Sequence, residues 1–161
     1  MIPYATLFNM LRYAEIKRYD GIWQDWLCMQ IEKGGEIETW MMCLAENPIE
    51  YDTFFDTRIE QERVSLYNEG GNCPLYLSAG FGWKMYKDNQ LEADEILRAL
   101  DQYDEDLSIY LYRFIHKDYA DDEDCWHIKR ALENNLEEPM KFFEEKLWNL
   151  LPQDTRDLFV K

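Results

Sequence analysis

Residues 91–124 read LEADEILRALDQYDEDLSIYLYRFIHKDYADDED. Leu91, Ile96, Leu97 and Leu100 recur at helical spacing, and Leu107, Leu111, Phe114 and Ile115 repeat the pattern. Apolar recurrence of this period marks amphipathic helices that each set one face on a core. The same stretch holds twelve carboxylates against three basic side chains, a net of −9 out of −16 for the whole chain. Helix and acidity are thus written into the same residues.

The pattern continues in both directions. Leu7, Met10, Leu11 and Ala14 follow Pro3, which suits a first helical turn. Asp20-Gly21 reads as a turn before a helix carrying Ile22, Trp23, Trp26, Leu27 and Ile31, which Gly34-Gly35 ends. Ile37, Trp40, Met41 and Leu44 give a third helix, closed by Asn47-Pro48. Asp52 or Thr53 caps a fourth, running through Phe55, Ile59 and Leu66 towards Gly70-Gly71. Downstream, Cys125, Ile128 and Leu132 open one helix, and Pro139 opens another that carries Phe143, Leu147, Leu150 and Leu151. Pro152 then breaks the chain before a short tail. Residues 73–87 differ: Leu75-Tyr76-Leu77 and Gly80-Phe81-Gly82-Trp83 are short, aromatic and punctuated by glycine, which reads as a small β-hairpin or an ordered loop. The expected fold is mostly α: a single compact helical domain, 1–161, of about seven to eight helices, with that small element inside it.

A chain of 161 residues buries enough surface to need no metal or disulfide staple. Its 16% aromatic content separates it from disordered acidic chains. A net charge of −16 repels nucleic-acid phosphates and anionic headgroups, so neither nucleic acid nor membrane is an expected partner, whereas a basic protein is. Cys28, Cys43, Cys73 and Cys125 contain no Cys-x-x-Cys pair and read as reduced, mostly buried thiols. No signal-peptide pattern and no long apolar run are visible, so the expected location is the cytoplasm. The oligomeric state stays open.

The acids fall into three clusters: Glu92, Asp94 and Glu95; Asp101, Asp104, Glu105 and Asp106; and Asp118, Asp121, Asp122, Glu123 and Asp124. The last two bracket the Leu107–Ile115 helix, a separation of about 20 Å at 1.5 Å per residue. Carboxylates are favoured at helix N-termini, which accounts for one or two per helix. The surplus costs stability through like-charge repulsion and points to a binding face.

Motifs for chemistry are sparse. His116 with Asp118, and Asp124 with His127, are single weak acid–base pairs. Cys125 and His127 offer two zinc ligands without a second pair. Residues 118–124 lack the central Gly and terminal Glu of a calcium loop. Residues 68–72 are Gly-rich but have no Gly-Lys-Ser/Thr ending, and no Gly-x-Ser-x-Gly elbow occurs. No catalytic residue, metal ligand or cofactor is assigned. Trp23, Trp26, Trp40 and Trp148 sit at core positions, while Tyr76, Phe81, Trp83 and Tyr86 read either as interface anchors on a loop or as a loop folded over the core.

A small, acidic, helical, aromatic-rich chain is similar to phage and bacterial proteins that inhibit DNA-handling enzymes by imitating DNA, and equally to immunity proteins that neutralise toxic nucleases. Asn68-Glu69-Gly70-Gly71 followed by Tyr76 resembles an Asn-x-Gly-Gly-aromatic pattern of one acidic DNA-mimic family over that short stretch alone. Most other positions depart from it, and no residue is carried over. The leading expectation is a non-enzymatic inhibitor that docks residues 92–124, with Tyr76, Phe81 and Trp83 as anchors, on the basic nucleic-acid surface of a CRISPR effector, restriction enzyme or other nuclease. An immunity protein, and an enzyme or regulatory domain acidic only for solubility, are the alternatives.

Overall fold

In the computed structural model, which describes residues 1–46, 53–66 and 74–160, residues 74–87 form neither a hairpin nor a loop. They are a helix whose stretch from Leu77 to Trp83 is buried on every side. Gly80 and Gly82 each lower helix propensity by about 1 kcal/mol relative to Ala, which is the signal that reads as a break. Packing reverses the outcome. A Cβ on Gly80 would lie 2.2 Å from the Pro139 carbonyl oxygen, and one on Gly82 would lie 2.8 Å from Ile96 Cδ1. Two residues apart, the glycines point to opposite sides and let a different helix approach on each.

Nine α-helices, and no strand, occur among the described residues: α1 Tyr4–Ala14, α2 Ile22–Glu32, α3 Thr39–Glu46, α4 Thr53–Leu66, α5 Pro74–Lys87, α6 Ala93–Asp101, α7 Glu105–Ile115, α8 Asp122–Lys146 and α9 Gln153–Asp157. They make one helical domain around α5, which packs on α1, α6 and α8. Leu77, Phe81 and Met85 on one side of α5 join a core with α1, α2, Trp40, Phe55, Phe143 and Phe159. Ala79 and Trp83 on another side join Ile96, Leu100, Leu107, Leu111, Ile128, Leu132 and Leu136 from α6, α7 and α8.

The turn signals hold where they can be compared. Gly21 and Gly34 take left-handed φ values of 79° and 69°. Gly35 N donates to Gln30 O at 2.9 Å, closing α2 with the left-handed cap expected of Gly34-Gly35. The expected closures at Asn47-Pro48 and Gly70-Gly71, and the Asp52 cap, lie outside the described residues, as does Cys73.

Three further readings are corrected. Pro139 does not start a helix: it sits inside the 25-residue α8. A mid-helix proline costs about 3 kcal/mol. The apolar track Ile128, Leu132, Leu136, Pro139 and Phe143 nevertheless runs unbroken against α5, and that continuous burial outweighs the loss. The short tail after Pro152 holds a helix, α9, and its Phe159 joins the first core. Phe159 is buried against Tyr19, Phe81 and Trp148, and Tyr19 Oη donates to the Phe159 carbonyl at 3.1 Å. Burial there pushes the Tyr19 phenol up to about 12. Finally, the thiols are not mostly buried among the described residues: Cys28 is exposed on the outer side of α2, opposite Trp26, and Cys43 and Cys125 are only partly buried.

Candidate functional site

The structure divides the twelve carboxylates into those that serve the fold and those that do not. Glu92 and Glu95 form a capping box at the start of α6, in which Glu95 Oε2 accepts from Glu92 N at 2.6 Å. Glu95 Oε1 also accepts from Arg18 Nε at 2.8 Å, pinning α6 to the turn that follows α1. Asp101, at the end of α6, accepts from Ser108 Oγ in the first turn of α7. Asp104 caps α7, accepting from Asp106 N and Leu107 N at 3.0 and 3.3 Å. Asp121 caps α8, accepting from Asp124 N at 2.8 Å. Asp124 pairs with Arg113 at 2.8 Å and accepts from Ala120 N at 3.2 Å.

The rest are surplus. The side chains of Asp94, Glu105, Asp106, Asp118 and Asp122 are exposed, and make no hydrogen bond or ion pair among the described residues. Glu123 is exposed as well, with its Oε1 3.7 Å from His127 Nε2.

Their placement follows from the helix connections. The Ser108–Asp101 bond sets the start of α7 beside the end of α6. The Arg113–Asp124 pair, with Asp118 N donating to Arg113 O at 2.8 Å, sets the start of α8 beside the end of α7. Glu105 and Asp106 therefore mark one end of α7, and Asp118, Asp122 and Glu123 the other. Eleven residues at 1.5 Å each put about 16 Å between them, a little under the separation expected from the sequence.

Between those ends α7 has two unlike faces. Leu107, Ser108 and Leu111 are buried against α6 and α8. Glu105, Ile109, Tyr112 and His116 recur at helical spacing on the opposite side. Ile109 and Tyr112 are 50% and 52% exposed, and the Tyr112 and His116 rings lie 4.2 Å apart. The sequence reading did not single out Ile109 and Tyr112, because it followed only the buried track of α7. The signal was nevertheless present, as Ile109 and Tyr112 are apolar residues off that track.

The expected anchors of the 73–87 segment are placed otherwise. Phe81 is fully buried between Tyr19, Phe143 and Phe159, and Trp83 is buried in the second core, so neither reaches the surface. Neither alternative fits as stated, since the segment is a helix and not a loop; Phe81 and Trp83 belong to the core, and Tyr76 and Tyr86 are partly buried. Tyr76 is half-buried, edge-on to Tyr103 and Phe142. Once the segment is a helix wedged between α6 and α8, Phe81 and Trp83 have no free side.

Clefts of about 530, 410 and 200 Å³ are lined by neither His116 nor His127. No group of three or more His, Cys, Asp or Glu side chains is arranged to hold a metal ion among the described residues. Glu62, buried in α4, accepts from Ala5 N at 3.2 Å, from Thr6 N and Thr6 Oγ1 at 2.7 Å, and from Arg58 Nε at 3.2 Å. It thereby serves the orphan donors at the start of α1, where Pro3 supplies no side-chain cap. No helix among the described residues is long and apolar enough to cross a membrane.

The fold and surface define an all-α acidic protein whose exposed charge exceeds what its helix caps use. No family model, curated protein or solved structure matches the chain.

Proposed function

We propose that this chain is a stoichiometric inhibitor that docks on the basic nucleic-acid-binding surface of a target such as a CRISPR effector, restriction enzyme or other nuclease. One observation carries the reading. Of the twelve carboxylates in residues 91–124, five exposed ones make no hydrogen bond or ion pair among the described residues, and four of these five mark the two ends of α7. Unpaired carboxylates at fixed positions offer Lys and Arg the charge-assisted hydrogen bonds that phosphates offer. The spacing of about 16 Å matches roughly five base-pair rises of 3.4 Å. The protein acts by occupying the cleft rather than by chemistry, and its surface charge speeds the encounter.

Affinity capture from the native host, followed by competition with duplex DNA, tests this. The expected outcome is a nucleic-acid-handling protein that DNA displaces. A toxin held in a DNA-insensitive complex would establish the immunity reading instead. Capture of partners without a basic surface would overturn both.

A further inference from the structure

The outward side of α7 departs from an ordinary solvated helix face. Single exposed apolar residues are normal on a protein surface. Here Ile109 and Tyr112 share one stripe, each about half exposed, and the stripe is directed away from both cores. The His116 ring lies against Tyr112, tilted at 45° with centroids 4.2 Å apart, and that contact restricts the Tyr112 side chain before any partner arrives, which lowers the entropy lost on binding. At either end of the stripe stand exposed carboxylates that make no hydrogen bond or ion pair among the described residues: Glu105 and Asp106, then Asp118 and Asp122.

We propose that this stripe is the anchor of the interface, and that it receives an amphipathic basic helix of the partner. That helix carries apolar side chains at its centre and Lys or Arg about 16 Å apart at its two ends, the axial length of α7. The inference rests on the binding reading above and adds the partner element and its charge pattern. A second copy of this chain does not fit. Antiparallel docking of α7 on α7 sets Glu105 and Asp106 against Asp118 and Asp122 of the other copy. Parallel docking sets each acidic end against itself. Two chains of net charge −16 also repel one another as whole molecules. A basic helix pairs with both ends at once, while the apolar centre packs as one helix ridge in another's groove.

The test uses the full chain and two synthetic helical peptides of equal length and equal positive charge. Both carry Arg at the two ends; one has Leu and Ile at its centre and the other Gln and Ala. Fluorescence anisotropy gives the affinities, and amide chemical shifts locate the contact. The apolar-centred peptide should bind at least about tenfold more tightly, the equivalent of about 1.4 kcal/mol, with shifts centred on residues 109–116. The double variant Ile109→Ala, Tyr112→Ala should abolish that preference without changing the melting temperature. Val64→Ala, an exposed apolar residue on α4, should leave it intact. Equal binding of the two peptides, insensitive to the double variant, would overturn the anchor while sparing the acidic reading. Binding of neither peptide would overturn the basic-partner reading as well.

Discussion

Glu62 shows how a single carboxylate joins two helices that are distant in sequence. Both of its oxygens are occupied by donors: one by Ala5 N and Arg58 Nε, the other by Thr6 N and Thr6 Oγ1. Glu62→Gln replaces one acceptor oxygen with an NH₂ facing those donors, so the variant should lose about 1–3 kcal/mol in urea unfolding. Burial, outweighing the hydrogen bonds from Thr6, Ala5 and Arg58, raises the Glu62 carboxyl above its ordinary value. The unfolded chain releases that proton near about pH 4.3. Between that value and the raised one the folded state holds the proton more tightly, so stability falls as pH rises through the window. The advantage of the wild type over Glu62→Gln should therefore shrink as pH is raised from 4 upward; an advantage that grows with pH would contradict this setting. The same scale separates structural from surplus acids. Asp104→Ala and Asp121→Ala each remove a helix cap and should cost about 1 kcal/mol, whereas Asp106→Ala and Asp122→Ala should stay within about 0.5 kcal/mol by the same measurement.

At the scale of elements, the α5–α8 contact decides how closely the centre of the domain packs. A methyl group on Gly80 meets the backbone of Pro139, which cannot move aside without shifting α8. A methyl group on Gly82 meets the flexible end of Ile96 and, at 3.2 Å, the Ala99 Cβ. Gly80→Ala should thus cost about 2–3 kcal/mol and Gly82→Ala about 1 kcal/mol, although either change favours an isolated helix. Calorimetric unfolding of both variants checks the order; equal losses would mean that α5 and α8 can separate at little cost. Lys84 adds a second fastening between the same helices. It pairs with Asp88 at 2.8 Å and Glu144 at 3.3 Å, and lies over the Trp148 ring.

For the molecule as a whole, the surplus charge predicts association kinetics. Changing Glu105, Asp106, Asp118, Asp122 and Glu123 to Gln or Asn should slow the on-rate for the captured partner by about tenfold at low salt, and by less at physiological salt, where charges beyond about 8 Å are screened. Stability should hold or rise slightly, because no cap is touched and repulsion falls. Neutralising Glu137, Glu138, Glu144 and Glu145 is the comparison. Glu137 pairs with Lys141 and Glu144 with Lys84, and residues 125–161 are nearly charge-balanced, so the on-rate should change little. Equal slowing by both sets would show that bulk charge governs the encounter, with no role for the ends of α7.

Helical class, the positions of α1, α2, α6 and α7, and the concentration of acid in residues 91–124 were all legible in the sequence. Each rests on local physics: a repeat of three to four residues, a glycine after a helix, a carboxylate before one. Tertiary structure alone decided the rest. Gly80 and Gly82 look like breaks until α6 and α8 lie against them, and Pro139 looks like a helix start until the apolar track of α8 is seen to continue through it. The twelve acids look alike in sequence, yet Arg18, Ser108 and Arg113 reach three of them from other elements. Which carboxylates the fold left exposed and unused depended on those contacts between elements, which no local pattern records.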